Sequence, residues 1–314
     1  MPNPGPGRIG RLIENVRSVF VGSEDTVRLA VTALLARGHL LIEDVPGIGK
    51  TLLGIALARS IESAFRRIQF TNDLLPSDLL GFSLYNPRDN SFTFKSGPIF
   101  SNVILADEIN RTTPKTQSAL LEAMNDGRVT VDGATYPLPE PFMIIATQNP
   151  VEYHGTFPLP EAQLDRFLIR LKIGYPDAGR EKEIIGGRDL YVQAGKLASV
   201  LSAADVLALQ TETDAVRVDD ALLDYIVSLA SETRLLKSVK LGVSPRGSLL
   251  LRRAAQAWAL TFGRDYVIPD DIKRVAVPVL AHRIVIDSPS YGLIRIHESD
   301  AVISDLLQKV AAPL

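Results

Sequence analysis

The chain has 314 residues, 46% of them hydrophobic, with 34 basic and 36 acidic side chains, a net charge of -2 and no cysteine. That length allows two ordinary domains with a sizeable core, and the near balance of charge denies the molecule a global positive field for nucleic acid or an anionic membrane. The absence of cysteine excludes disulfides, thiolate metal sites and thiol nucleophiles and suits a reducing, cytoplasmic setting, while His39, His154, His282 and His297 lack the spacing of a metal site.

The opening MPNPGPGRIGR is rich in Pro and Gly and reads, over residues 1–18, as a flexible leader; it lacks the apolar middle of a secretory signal. No stretch approaches the ~18 uncharged apolar residues of a membrane span, so membrane insertion is not expected. In residues 24–37, Val27, Ala30, Val31, Leu34 and Leu35 share one helical face, and Gly38 follows as a stop. Then come five short apolar runs, HLLIE (39–43), RRIQFT (66–71), NVILADE (102–108), FMIIATQN (142–149) and FLIRLKIGY (167–175), separated by helical patterns. Such runs predict strands buried on both faces of a parallel sheet, a doubly wound α/β domain over residues 19–176. Two insertions in it, residues 81–100 around Asn-Pro-Arg-Asp-Asn and 127–139 around Asp132-Gly133, alternate apolar and polar residues and predict β-hairpins. Beyond GYPDAGR the spacing becomes helical, with Ser or Asp near several starts, and residues 177–314 read as an all-helical domain.

The segment HLLIEDVPGIGKT (39–51) has the outline of a phosphate loop, G-x-x-x-x-G-K-[ST], except that Asp44 stands where the pattern has glycine. Gly-Lys-[Ser/Thr] arises by chance roughly 0.15 times in a chain this long, so context carries the reading. Gly49-Lys50-Thr51 follows a strand-like run and opens a helical one, the arrangement in which backbone N–H groups and a helix N-terminus face a phosphate. Lys50 would then reach the β- and γ-phosphates and Thr51 a magnesium ion. A strand–turn–helix with a surface lysine is the alternative, and Asp44 favours it unless its carboxylate points away.

NVILADE ends in two acids, and a strand that emerges with Asp107 and then Glu108 offers one carboxylate for magnesium and one to polarise a water. FMIIATQNP ends at Asn149, whose amide can orient that water; a plain turn asparagine before Pro150 is the alternative. Arg166 in PLPEAQLDRF, just before the last strand, can stabilise transition-state charge from a neighbouring subunit, or else form an internal salt bridge. Arg170, within the strand, is a second and weaker choice. Arg246 in LGVSPRGSLLL stands in the first turn of a helix, poorly placed against the dipole, and could report the γ-phosphate to the helical domain.

In this order these segments are similar to those of the MoxR branch of the AAA+ ATPases. EDVPGIGKT resembles that family's phosphate loop, VILADEINR its magnesium and base segment, ATQNP its first sensor, LPEAQLDRF its finger segment and GVSPR its second sensor; PKTQSALLEAM and PVLAHRIV resemble it as well, so the likeness runs from about Val19 to Leu314. The resemblance implies a P-loop NTPase core of five parallel strands sandwiched by helices, with a C-terminal helical lid. The hairpins at 81–100 and 127–139 would be its helix-2 insert and pre-sensor hairpin. It implies ATP and Mg2+ as ligands, with Val21 and Gly22 near the adenine, Pro46, Gly47, Ile48, Gly49, Lys50, Thr51 and Leu52 around the phosphates, and Thr51 and Asp107 on the metal. Glu108, Asn149, Arg166 and Arg246 would act in hydrolysis. It further implies a hexameric ring and chaperone-like remodelling of proteins, often with von Willebrand factor A domain partners. Asn72 departs from the proline common in the family and ends the second strand, where other AAA+ proteins keep a polar residue that restrains the base; a plain turn asparagine is the alternative.

Other readings have weaker support in the residues. A GTPase would want N-K-x-D or T-K-x-D and an ABC ATPase L-S-G-G-Q, and neither occurs. A magnesium-chelatase-type motor subunit would share the insert arrangement. A DNA-associated motor would need several basic residues on its hairpin, where GRVTVDGATY offers Arg128 against Asp132. An assembly module that binds ATP only as glue would not need Glu108 or Arg166.

Overall fold

All five apolar runs become strands of one sheet. The computed structural model describes residues 7–150, 155–176, 178–186, 189–288 and 292–313. Its strands are β1 (Leu40–Glu43), β2 (Ile61–Glu62), β3 (Phe65–Gln69), β4 (Gly81–Asn86), β5 (Ser91–Ser96), β6 (Val103–Asp107), β7 (Arg128–Val131), β8 (Ala134–Pro137), β9 (Met143–Gln148), β10 (Ile169–Leu171), β11 (Leu201–Ser202), β12 (Val239–Leu241) and β13 (Val285–Ile286). The main sheet has the order β10-β1-β9-β6-β3, with every pair parallel. Successive side chains enter different cores: Leu40, Ile42, Val103, Leu105, Met143 and Ile145 pack on one face, Leu41, Ile104, Ala106, Ile144 and Ala146 on the other. Burial on both faces is why these runs are continuously apolar.

The helices are α1 (Arg8–Arg17), α2 (Glu24–Leu35), α3 (Lys50–Arg59), α4 (Pro76–Leu80), α5 (Pro114–Asp126), α6 (Glu161–Leu164), α7 (Ala178–Ile185), α8 (Leu190–Gly195), α9 (Ala203–Asp214), α10 (Asp220–Leu235), α11 (Pro245–Leu260), α12 (Pro269–Leu280) and α13 (Gly292–Lys309). Side-chain caps start several of them: Ser23 Oγ accepts from Thr26 N at 3.0 Å, Ser202 and Asp205 form a capping box, and Ser244 Oγ accepts from Gly247 N at 3.3 Å. Among the described residues, no helix is long and apolar enough to cross a membrane.

The flexible leader expected over residues 1–18 is corrected for its second half. Ile9, Leu12, Ile13 and Val16 repeat at helical spacing and are buried in α1, and Asn15 Nδ2 ties the helix to Ser60 Oγ at 2.9 Å and Ala198 O at 3.1 Å. The apolar stripe outweighs the Pro and Gly that precede it; residues 1–6 lie outside those described. The C-terminal region is also not purely helical, because β11 pairs in parallel with β2 and β12 pairs antiparallel with β13.

Both insertions are hairpins, β4–β5 and β7–β8. The second turns at Asp132 (φ 50°) and Gly133 (φ 80°), the left-handed pair that a two-residue connection demands. Phe94 of one stacks on Tyr136 of the other with centroids 4.1 Å apart. At the entry of β1, buried His39 accepts from Ile144 N at 3.0 Å through Nδ1, while its Nε2 lies 3.0 Å from Met124 O at the end of α5. Burial pushes its pKa down to about 4, so the ring is a neutral clamp at the end of the sheet opposite to the phosphate loop.

Candidate nucleotide site

In a parallel sheet every C-terminal strand end faces the same way, and ligands collect there. Three of the candidate segments leave the sheet on this side, from β1, β6 and β9. After β1, the chain turns through Gly47 (φ 86°) and Gly49 (φ 90°), backbone states that an L side chain resists, and enters α3 at Lys50. A Cβ at Gly54 would lie 2.8 Å from Leu105 Cδ1, so the missing side chain lets α3 sit close on β6 and brings Thr51 to Asp107. The Thr51 hydroxyl lies 3.1 and 3.2 Å from the two Asp107 carboxylate oxygens.

Lys50 Nζ donates to Gln148 O at 3.0 Å and to Asp44 O, linking the loop to the end of β9 beside Asn149. Burial lowers its pKa, against the pull of Asp44, Asp107, Glu108 and Glu43. Pro46 and Ile48 lie in the same turn and Leu52 is buried in the first turn of α3. Val21 and Gly22 follow Phe20, whose buried ring lies under the loop: a Cβ at Gly49 would be 3.7 Å from it, and one at Gly22 only 2.1 Å.

Asp44 does point away. Its Oδ2 accepts from Ile173 N at 2.9 Å and Gly174 N at 2.8 Å, and its Oδ1 from Val45 N at 2.8 Å. The carboxylate is thus a staple between the phosphate loop and the segment leaving β10. Restoring the glycine of the motif, Asp44→Gly, should therefore weaken the protein: two tertiary backbone donors lose their partner, a loss of about 2 kcal/mol. A fall in melting temperature together with weaker ATP binding is expected; a variant as stable as the wild type and binding ATP as tightly would refute the staple.

The acids at the end of β6 are held by groups that the sequence did not single out. Asp107 Oδ1 accepts from Thr147 Oγ1 at 2.6 Å, and its Oδ2 from Arg67 Nη2 at 2.7 Å and Nε at 3.1 Å. Glu108 adopts the left-handed backbone (φ 57°, ψ 52°), costly for a non-glycine residue, and donates its N–H to Thr147 Oγ1 at 2.9 Å. Its Oε2 accepts from Gln69 Nε2 at 2.7 Å and faces Arg111 Nε at 3.3 Å. The residue holding the expected base is therefore Gln69, not Asn72, which lies exposed in the turn past β3. Register explains this: Gln69 is the β3 partner of Asp107, and Arg67 sits two residues before it on the same face. Polar residues at period two beside an acid-ending strand were the available signal. Asn149 is buried at the end of β9, and its carbonyl accepts from Asn110 Nδ2 at 3.3 Å.

The arginines lie elsewhere. Arg166 precedes β10, at the N-terminal end of the sheet, and donates to Leu121 O of α5. Arg246 Nη2 donates to Asn125 Oδ1 at 3.0 Å, and its Nε is 3.6 Å from Asp165 Oδ2. Asn125 follows Met124, the residue that His39 meets at the start of β1. Both arginines are thus separated from Lys50 by the length of β1, about 10 Å. Arg246, expected to report a γ-phosphate to the helical domain, thus lies away from the phosphate loop of its own chain. Arg170, the second choice, is buried, with Nη2 donating to Asp300 Oδ1 at 2.6 Å and Nη1 3.7 Å from Glu43 Oε2.

Residues 39–169 match the family model described as "ATPase family associated with various cellular activities (AAA)", and residues 231–306 match an AAA lid domain. The chain is 49% identical to the uncharacterized protein YeaC of Bacillus subtilis, over 98% of this chain and 95% of that protein. It is 42% identical to Chaperone MoxR1 of Mycobacterium tuberculosis, over 96% of this chain and 82% of the relative. A crystal structure from Cytophaga hutchinsonii superposes with a TM-score of 0.84 at 39% identity, over 98% of this chain and 95% of that one. With both family models matched and relatives this similar over most of their length, the chain belongs to the MoxR family of AAA+ ATPases.

Proposed function

We propose that this ATPase is magnesium-dependent, works as a hexameric ring in the cytoplasm and uses its cycle to remodel partner proteins, von Willebrand factor A domain proteins among them. The observation that carries the reading is the separation of its parts. Lys50, Thr51, Asp107, Glu108 and Asn149 stand at the C-terminal end of the sheet, while Arg166 and Arg246 stand at the other. Neither arginine serves the phosphates of its own chain; each serves the chain next to it, which requires assembly.

The loop residues Pro46 to Leu52 hold the phosphates, and Val21 and Gly22 border the adenine. A hydroxyl and a carboxylate 3.1 Å apart, Thr51 and Asp107, are the oxygen donors a small hard cation takes. No group of three or more His, Asp or Glu suited to a metal occurs among the described residues, in keeping with an ion that draws its other ligands from phosphate and water. When bound, magnesium supplies charge for the phosphoryl transfer. Glu108 takes the proton of the attacking water, Asn149 orients it, and Arg166 offsets charge on the transferring group. Remodelling is supported by the chaperone name of the 42% identical relative and by the β4–β5 hairpin, where Phe92 is 72% and Leu84 59% exposed. Large apolar side chains left in water on stacked hairpins offer a surface to a client chain.

The test is ATP hydrolysis per chain as a function of protein concentration, with and without a magnesium chelator. Activity should rise with concentration and vanish on chelation; a constant activity down to the dilution at which the protein is monomeric would refute the shared site.

A further inference from the structure

Arg283, in the turn after α12, is a fully buried charge with an unusual set of partners. Its side chain is 1% exposed, and burial pushes its pKa down to about 10, which leaves it charged at neutral pH. Nη2 donates to Phe167 O at 2.6 Å and Asp165 O at 3.1 Å; Nη1 lies 3.3 Å from Leu168 O and also donates to Val279 O on α12. Nε is 3.0 Å from Asp165 Oδ1. The neighbouring His282 Nε2 adds a contact to Phe167 O at 2.9 Å. One guanidinium thus wraps the four residues 165–168, the segment that carries Arg166.

The same group reaches Arg246. Asp165 lends its other oxygen, Oδ2, to Arg246 Nε at 3.6 Å, and a Cβ at Gly247 would lie 3.3 Å from Arg283 Cδ. Burying an ion is expensive, and an apolar side chain of similar volume commonly fills such a place at no loss of stability. What an apolar residue cannot do is fix the backbone of a loop through a planar fork of donors. We propose that Arg283 is a positioning residue that locks Arg166 and Arg246 into one unit with α12, so that the orientation of the helical region sets how both arginines are presented to the neighbouring chain. This rests on the reading that Arg166 acts across a subunit boundary.

The experiment uses full-length chains carrying Arg283→Met or Arg283→Lys, each alone, mixed with Lys50→Ala chains and mixed with Arg166→Ala chains, with an Arg166→Ala plus Lys50→Ala mixture alongside. Alone, Arg283→Met should lose at least about 100-fold in hydrolysis with ATP affinity nearly intact. Mixed with Lys50→Ala, which keeps an intact Arg283, activity should return at roughly a quarter of the interfaces; mixed with Arg166→Ala it should not. A purely structural role would lower ATP binding along with hydrolysis and give no rescue. Rescue of Arg166→Ala but not of Arg283→Met would overturn the inference and leave the shared site standing, whereas failure of both would overturn the shared site itself. Should Arg283→Met not fold, Arg283→Lys decides, since it keeps the charge without the fork: a loss of about 10-fold, rescued in the same way, supports the lock, and wild-type hydrolysis overturns it.

Discussion

Glu108→Gln will bind ATP and fail to turn it over. Glutamine keeps the shape of the side chain, and its carbonyl can still accept from Gln69, so the unusual backbone at this position is not disturbed. Asp107, the Lys50 contacts and the loop glycines are all untouched, so affinity is unchanged. Only the capacity to take a proton is removed, which costs about 100- to 10,000-fold in rate. Phosphate release under single-turnover conditions and ATP retained through gel filtration measure the two halves of this claim. Release at the wild-type rate would move the base elsewhere. If the proposed remodelling holds, an ATP-locked chain of this kind should also retain its client, and identifying what co-purifies would name it.

Arg166→Ala has the second large effect. A guanidinium acting on transition-state charge is worth about a thousandfold or more, so hydrolysis by the assembled variant should be nearly lost. Nucleotide affinity should hardly change, because Arg166 and Lys50 of one chain lie at opposite ends of the sheet. Lys50→Ala has the reverse defect, an intact arginine and a crippled loop. Each variant is inactive alone, and their mixture regains hydrolysis because some Arg166→Ala sites then face an intact arginine. A mixture that assembles and stays inactive would show that Arg166 acts within its own chain or not at all.

Much of the site was legible because its chemistry is written locally. The glycines at 47 and 49, the lysine that opens a helix and the acids that end a buried run each follow from a few neighbouring residues. What escaped was set by register and by distance. Gln69 and Arg67 belong to the acid pair only because β3 lies beside β6 in one particular alignment, which their period-two spacing does not by itself specify. Asp44 looked like a defect in a motif until its partners, Ile173 and Gly174, were placed beside it by the pairing of β1 with β10. α1 was different: Ile9, Leu12, Ile13 and Val16 carried the helical spacing in plain view, and the Pro and Gly before them drew attention away. The position of Arg246 is not written locally, because it depends on how the helical region docks, through Asp165 and Asn125.

The larger of the two cores has a consequence for how the chain is made. It joins α1, α2 and α3 to α9, α10, α11 and α12, and α2 lies against both α9 and α11. When synthesis reaches residue 176, every group proposed to touch the chain's own nucleotide phosphates is already present, yet the apolar partners of α2 are still unmade. The strand pair β2–β11 closes only with Ser202, and Trp258 on α11 arrives later still. The second core, Leu41 to Phe167, is complete by then, so one face of the sheet can be covered early while the α2 face stays exposed to solvent until the later helices emerge.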